Sequence, residues 1–388
     1  MGLLTIAQTI RSAKCPEDVF GIVNRSEVVH VFRRLVADIH PDRFQSDPKK
    51  LRIATEALEL LTSLKGEAER KFKAGIYGNR ALSAPPEKAP FTPVVVETKS
   101  KKFILTDLLC KGDVCDIYLC TYNDDGLDRT AVFKVVQHGS DNDLVENEAK
   151  ILTKIYPPNQ VEEKFYRLLP RLLDSFVLKG PGSQRRVNIL PWFNEHHSLE
   201  RVLQVHKQID FRDMVWMFKR TLMAVGFAHE KKNVVHGALI PPHIMIHPLD
   251  HGAKILGWSY AVHIPPPKAP DNLFDHVLDD SFLAVPYVRA ISAEYRDYYA
   301  PEILKKSTPT AATDIYMAAR CATALVTGNP KGRMPNDVPK EVRAFFLSCL
   351  ADDPKNRPQN AWDAHEDLDI ILKRVVGPNK YRPFAMPE

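Results

Sequence analysis

Residues 31–44 read VFRRLVADIHPDRF, and residues 57–75 read ALELLTSLKGEAERKFKAG. Upstream of the first stretch, Ser26 offers an N-cap, and Val28, Phe32, Leu35 and Ile39 follow at spacings that place them on one helical face. Arg33, Arg34 and Asp38 then point away from that face. In the second stretch Ala57, Leu61, Leu64, Ala68 and Phe72 form one apolar stripe, which predicts a helix ending near Gly75. Two helices with one apolar face each, joined by about a dozen residues, should pack as an antiparallel hairpin. Between them lies His40-Pro41-Asp42-Arg43-Phe44. Pro41 fixes its own φ and biases His40 away from helix, so the first helix must stop there and present a rigid loop.

Outward from this hairpin the composition changes twice. Residues 81–98 carry Pro85, Pro86, Pro90 and Pro93, which denies them regular helix and predicts a semi-rigid linker. From 99 to 388 strand and helix signals alternate. A chain of 388 residues exceeds the roughly 250–300 at which single cores stop growing, so two or more domains are expected. Its 44% hydrophobic and 26% charged content is that of a soluble globular protein. No apolar run approaches the roughly 18 residues of a membrane helix and the N-terminus lacks the order of a signal peptide, so the expectation is a cytoplasmic protein with no membrane partner. Six cysteines without a CxxC pair read as reduced thiols. The first eighty residues hold 14 basic and 10 acidic side chains, whereas the remainder is close to neutral. No Lys/Arg run of nucleic-acid type is present, so an acidic protein surface is the expected partner and nucleic acid is not.

The first stretch resembles the second helix and loop of J-domain co-chaperones, and the second resembles their third helix. The first helix of that family is poorly marked, with Asp18-Val19-Phe20-Gly21 as its expected remnant. The resemblance implies an all-α J-domain over residues 1–80 that engages a heat-shock-seventy-type chaperone ATPase. Arg33, Arg34 and Arg43 would attract the acidic partner, and His40, Pro41 and Asp42 would act as the trigger. No Gly/Phe-rich segment and no zinc-ligating repeat follows, so client recognition is expected from the rest of the chain.

Residues 103–375 resemble, in order, the segments of the protein-kinase fold. FILTDLLCKGDVCDIYLC (103–120) is similar to the strand, glycine-rich loop and strand over ATP phosphates, with Gly112 at a family glycine and Cys110 and Cys115 at the other two. AVFK supplies Lys134. Asp143 and Glu146 read as a capping box for the following helix, on which Leu144, Glu148, Ile151 and Ile155 share one face. A carboxylate aimed inward needs a partner, and Lys134 is the candidate. Catalytic-loop resemblance falls on VVHGALIPPH (234–243), where Gly237 replaces the family's arginine, Ala238 its catalytic aspartate and His243 its metal-binding asparagine. Gly257, Trp258 and Ser259 stand in place of Asp-Phe-Gly. Glu302, Asp314 and Arg357 match structural positions. The resemblance therefore implies an α+β bilobal kinase-like domain over 99–378, with an N-lobe to about 190, a C-lobe from 191 and a tail at 379–388.

Phosphoryl transfer by this fold relies on an aspartate that accepts a proton and on oxygen ligands for magnesium. Ala238, His243 and Gly257 supply neither, so a pseudokinase that binds a client or partner is expected instead of an enzyme. Lys134 and Glu148, with Gly112, could hold ATP without metal or merely brace the lobe, and no other cofactor is indicated. Two further readings stay open: an atypical phosphotransferase, and an interaction protein that sequesters a chaperone or kinase. His243, His247 and His251 recur at spacing four, but Pro242 and Pro248 forbid the helix that a metal site of that spacing assumes. Tyr295, Tyr298 and Tyr299 are expected to be exposed on the segment between Trp258 and Ala300.

Overall fold

The computed structural model describes residues 3–13, 16–44, 47–73, 77–79, 91–99, 101–124, 126–157, 165–180, 183–264, 287–378 and 381–386. The chain divides into two compact units, Met1–Phe91 and Thr92–Glu388. It is a multidomain protein that mixes helix and sheet.

Among the described residues the first unit is built from four α-helices, α1 (Leu3–Ser12), α2 (Pro16–Phe20), α3 (Arg25–Ile39) and α4 (Pro48–Lys73). The hairpin of α3 and α4 is present, but it is not alone. Ile6, Ala7 and Ile10 of α1 and Phe20 of α2 are buried against Val28, Ile39, Ala57, Leu61 and Ala68. Burying each large aliphatic side chain contributes about 1.5–3 kcal/mol, and a two-helix hairpin would leave half of this surface wet. Asp18, Val19 and Phe20, expected to be the remnant of a first helix, belong to the short α2; the longer α1 precedes it. Arg11–Glu56, Lys71–Glu17 and Arg25–Glu69 ion pairs, at 2.5, 2.8 and 2.8 Å, tie the earlier helices to α4.

The N-cap of α3 is Asn24, not Ser26. Asn24 Oδ1 accepts the Glu27 N–H at 2.9 Å while Glu27 Oε2 accepts the Asn24 N–H at 3.3 Å, a reciprocal capping box. Ser26 is already inside the first turn, and its hydroxyl donates to the same Asn24 oxygen at 2.6 Å. α4 ends at Lys73; Gly75 lies outside the described residues, as do Cys15, linker residues 81–90 and the Pro265-Pro266-Pro267 run.

The second unit opens with strands β1 (Val94–Glu97), β2 (Lys102–Lys111), β3 (Cys115–Asp124) and β4 (Leu127–Val136), then α5 (Asn142–Ile155), β5 (Asp174–Gly180) and β6 (Ser183–Pro191). These strands form an antiparallel sheet in the order β1-β2-β3-β4-β6-β5. β1 corrects the expected extent of the linker: Val94–Glu97 pair with Lys102–Leu105, so the proline-rich segment gives way to strand before residue 98. Pro93 precedes the strand, where its missing N–H is harmless. Alternation along β4 sends Phe133 to one face and Lys134 to the other. Phe133 meets Phe103 and Phe176 at ring separations of 6.1 and 6.0 Å.

After the sheet come β7 (His197–Ser198), α6 (Leu199–Val205), α7 (Phe211–Lys232), β8 (Val234–Val235), β9 (Ile244–His247), β10 (Gly252–Ile255) and β11 (Val262–His263). Helices α8 (Pro301–Leu304), α9 (Ala311–Thr327), α10 (Lys340–Cys349) and α11 (Ala361–Val375) complete the unit. Val215, Phe218, Leu222 and Val225 of α7 are buried against a core that includes Ile315, Ala319 and Phe346. Residues 381–386 are no loose tail, because Phe384 is buried in this core and the His206 ring nitrogen Nε2 bonds the Ala385 carbonyl at 3.0 Å. No helix among the described residues is long and apolar enough to cross a membrane.

Candidate functional site

Two places bring the expected site residues together, one in each unit. In the first, α3 runs to Ile39, which is fully buried, and the backbone turns at His40 with φ −57° and ψ 129°. That extended geometry is what a following proline imposes. Pro41–Phe44 form one 3₁₀ turn, closed by the Arg43 N–H on the His40 carbonyl at 3.1 Å and followed by the Asp47 N–H on the Phe44 carbonyl at 3.0 Å. The turn sits between two helix ends and packs on α4, so its shape is dictated from both sides. Arg33 and Arg34 are exposed on α3. Arg43 is also exposed, but its guanidinium folds back to the Ala37 carbonyl at 2.7 Å and lies 3.9 Å from Asp38. It therefore satisfies a carbonyl of the last turn of α3, a role that the sequence does not reveal. The Asp42 side chain lies outside the described residues, while its backbone belongs to the 3₁₀ turn.

The second place is the face of the sheet that carries Lys134. Register sets Lys134 beside Asn188 of β6 and Ile117 of β3. From α5, Glu148 reaches inward with 1% of its surface exposed. Lys134 Nζ donates to Glu148 Oε1 at 2.8 Å and to Ser259 Oγ at 2.9 Å, and Asn188 Nδ2 donates to Glu148 Oε2 at 3.1 Å and to the Val145 carbonyl at 2.9 Å. Every oxygen of the buried carboxylate has a donor, as burial of a charge requires. Burial works against the Lys134 ammonium, but the adjacent Glu148 outweighs it and the pKa is raised. Asn147 Nδ2 donates to the carbonyls of Ser259 and Ala261, each at 3.0 Å, so α5 is clamped to the turn at 258–260. Asp143 and Glu146 do not cap α5. Its N-cap is Asp141, without a side-chain bond; Asp143 pairs with Arg289 at 2.7 Å and Glu146 with Lys150 at 3.3 Å. The reason is the 3₁₀ turn at Gly139–Asp141, which leads straight into α5 and moves the helix start ahead of Asp143.

Around the loop at 236–243, side chains fill the space. Gly257 has φ 79°, and any Cβ there would stand 2.5 Å from the His243 ring. His243 Nδ1 bonds the Ala238 carbonyl at 2.7 Å; a carbonyl only accepts, so Nδ1 carries the proton. Burial, with His236 nearby, pushes the His243 pKa down to about 3, so the ring is neutral. Gly237 has φ 68°, and a Cβ would stand 2.6 Å from Val288. His236 is fully buried, accepts the Ala238 N–H at Nδ1 (3.2 Å) and bonds the Leu256 carbonyl through Nε2 (2.8 Å). Trp258, also fully buried, meets the His236 ring edge-on at 4.6 Å and donates its indole N–H to Ile255. Ala238 is buried and offers only backbone. The three positions thus hold a methyl group, a neutral imidazole and a glycine pressed under that imidazole.

Asp314, at the start of α9, carries the loop. Its oxygens accept the N–H groups of His236 and Gly237, both at 2.8 Å, and bond His229 Nε2 at 2.8 Å. Glu302 and Arg357 form a two-pronged pair at 2.7 and 3.0 Å; Thr313 adds a bond to Glu302, and Arg357 lies over the Tyr316 ring at 4.5 Å.

Gly112 does not open a wide loop. Its N–H bonds the Cys115 carbonyl at 2.8 Å and Gln137 Nε2 bonds its carbonyl at 2.8 Å, which closes β2 and β3 in a tight turn. Cys115 and Cys120 are buried, and burial pushes both thiols up to about 12. Tyr295, Tyr298 and Tyr299 are not an exposed array. Tyr299 is buried, the other two are half-buried, and the Tyr295 hydroxyl bonds Glu200. Their rings pack on the helical core because 287–300 runs straight into α8. His243, His247 and His251 fall on a 3₁₀ turn, the end of β9 and the β9–β10 turn, and no group of metal-ligating side chains occurs among the described residues.

Sequence reasoning missed Asn147, Asn188 and Ser259. Asn188 had a signal: it is the one polar residue in the strand run Val187-Asn188-Ile189-Leu190, where an uncompensated amide would be costly. Asn147 had none, since its partners lie more than a hundred residues away. No protein-family model and no curated protein matches the chain.

Proposed function

We propose that the protein is a J-domain co-chaperone whose second unit is a catalytically inactive, kinase-like binding module. In this reading the turn at His40-Pro41-Asp42, with Arg33 and Arg34 on the preceding helix, engages a heat-shock-seventy-type ATPase. Arg43 contributes by holding the turn against the end of α3. The second unit recruits a client or partner protein and so raises the chaperone's effective concentration at it. A cytoplasmic setting belongs to the same reading.

The observation that carries it is a contrast. The His40–Phe44 turn is braced at both ends and stands beside exposed arginines, whereas the second unit offers no carboxylate at positions 238, 243 or 257. A kinase-like fold is supported by the antiparallel sheet with α5 pinned to Lys134, followed by a helical body in which Asp314 holds the loop after α7. Bracing, not nucleotide binding, is the role this arrangement favours for Lys134, because the ammonium is already committed to Glu148 and Ser259. Steady-state ATP hydrolysis by a heat-shock-seventy-type chaperone, with and without the full chain, tests the proposal. The parent chain should stimulate turnover and Asp42→Asn should not; equal stimulation by both would refute it. Inhibition by the parent would favour the sequestering role, and labelling of a protein substrate from ATP that depends on Lys134 would favour the phosphotransferase.

A further inference from the structure

The second unit contains a cavity of about 760 Å³ walled by α7, α11, the β9–β10 turn, residues 376–378 and residues 381–382. That volume is in the range of small-molecule sites. None of its lining residues belongs to the Lys134 cluster or the loop that Asp314 holds.

Its charge is lopsided. Five lining side chains are arginine or lysine and two are aspartate; Arg212 and Arg382 are paired with Asp210 and Asp213 behind the wall, which leaves the surplus at Lys219, Arg220 and Lys373. His251 and His365 add no charge at neutral pH, since burial pushes both down, His365 to about 4. Lys219 and Lys373 share the single carboxylate of Asp369, at 2.5 and 2.9 Å. Arg220 has no carboxylate partner among the described residues: its Nε donates to the His251 carbonyl at 2.9 Å, and the guanidinium otherwise touches the Met223 sulfur. A half-buried guanidinium without a carboxylate of its own, beside two lysines that share one, is stabilised by whatever anion enters.

The walls are also flat and aromatic. Trp216 stacks on His251 at 4.1 Å with the rings 4° from parallel, and Tyr381 meets the same His251 ring at 4.8 Å.

We propose that this cavity binds a small anion built on a planar ring, an aromatic carboxylate or phosphate. Arg220 takes the anionic group, Lys219 and Lys373 supply the field, and the stacked rings hold the flat part. This inference does not depend on the chaperone reading.

The full chain titrated with phenyl phosphate, followed by calorimetry, tests it. Saturable binding with Kd below about 1 mM is expected, and weaker binding of both inorganic phosphate and phenol, since each lacks one half of the ligand. Arg220→Gln should raise Kd by about tenfold. Because Arg220 also bonds the His251 carbonyl, Lys373→Glu serves as the second variant: its side chain is mostly exposed, so the fold is spared, and binding should weaken by about threefold at low salt. The double variant Lys134→Met with Glu148→Leu, which removes both buried charges together, should bind like the parent. No saturation by about 10 mM, unchanged Kd in both cavity variants, or loss of binding in a folded double variant would overturn the proposal.

Discussion

Replacing Glu148 by glutamine removes one charge of a pair in which Lys134 is 13% and Glu148 1% exposed. The ammonium stays behind with only neutral acceptors, Ser259 Oγ and the new amide oxygen, and an uncompensated buried charge of this kind costs about 3–5 kcal/mol. All four tryptophans lie in the second unit, so their fluorescence reports its unfolding without interference from the first. For a unit of this size the loss corresponds to a fall in Tm of roughly 6–15 °C. Replacing both partners, Lys134→Met with Glu148→Leu, removes the charges together. The double variant should recover most of the loss, because a hydrophobic pair in place of a buried ion pair is often neutral or stabilising. Should Glu148→Gln lower stability by less than about 1 kcal/mol, the pair is solvated and the bracing role fails. If the parent melts higher with ATP and the double variant does not, the pair binds nucleotide and bracing is not its main task.

Three other outcomes follow from the same geometry. Arg357→Ala should destabilise the second unit by about 3–5 kcal/mol by stranding the buried Glu302, and lysine should rescue little, since it cannot reproduce the two-pronged bond; urea denaturation measures both. Gly257→Asp, which would introduce the carboxylate that the kinase-like reading lacks, should confer no magnesium binding and cost about 2–5 kcal/mol, from the left-handed backbone and the overlap with His243; a stable variant that binds the ion would contradict the packing of His243 on Gly257. His243 and His365 have pKa values held below the usual 6.5, near 3 and 4. Below pH 6.5 the unfolded chain therefore binds more protons than the folded one, and the stability present above that pH is lost as the pH falls toward the folded values, by at most ~1.4 kcal/mol per pH unit for each group. His243→Asn should flatten the slope of Tm between pH 6.5 and 4, and an unchanged slope would show that His243 is not the source.

The elements that were legible in the sequence are those with long periodic stripes. The faces of α3, α4 and α5 come from spacings of three and four, and tertiary packing did not disturb them. Lys134 and Glu148 were predicted as partners because a carboxylate on an apolar helix face has few ways to be satisfied. Short or uncapped elements were less legible. α1 has no capping side chain to announce it, β1 follows a proline-rich run, and the cap of α3 turns on a difference of two residues between Asn24 and Ser26.

By itself the sequence determined that positions 238, 243 and 257 carry no carboxylate and that a proline must end a helix at His40, since both are local properties of residue type. Only the tertiary structure decided what packs around those positions: His243 lies over Gly257, Val288 closes on Gly237, and Asn147, Asn188 and Ser259 complete the Lys134–Glu148 cluster. It also brought Trp216, Arg220, His365 and Tyr381 around one basic cavity. Contacts between residues far apart in the chain depend on how helices and sheet pack, and spacing along the chain carries no record of that packing.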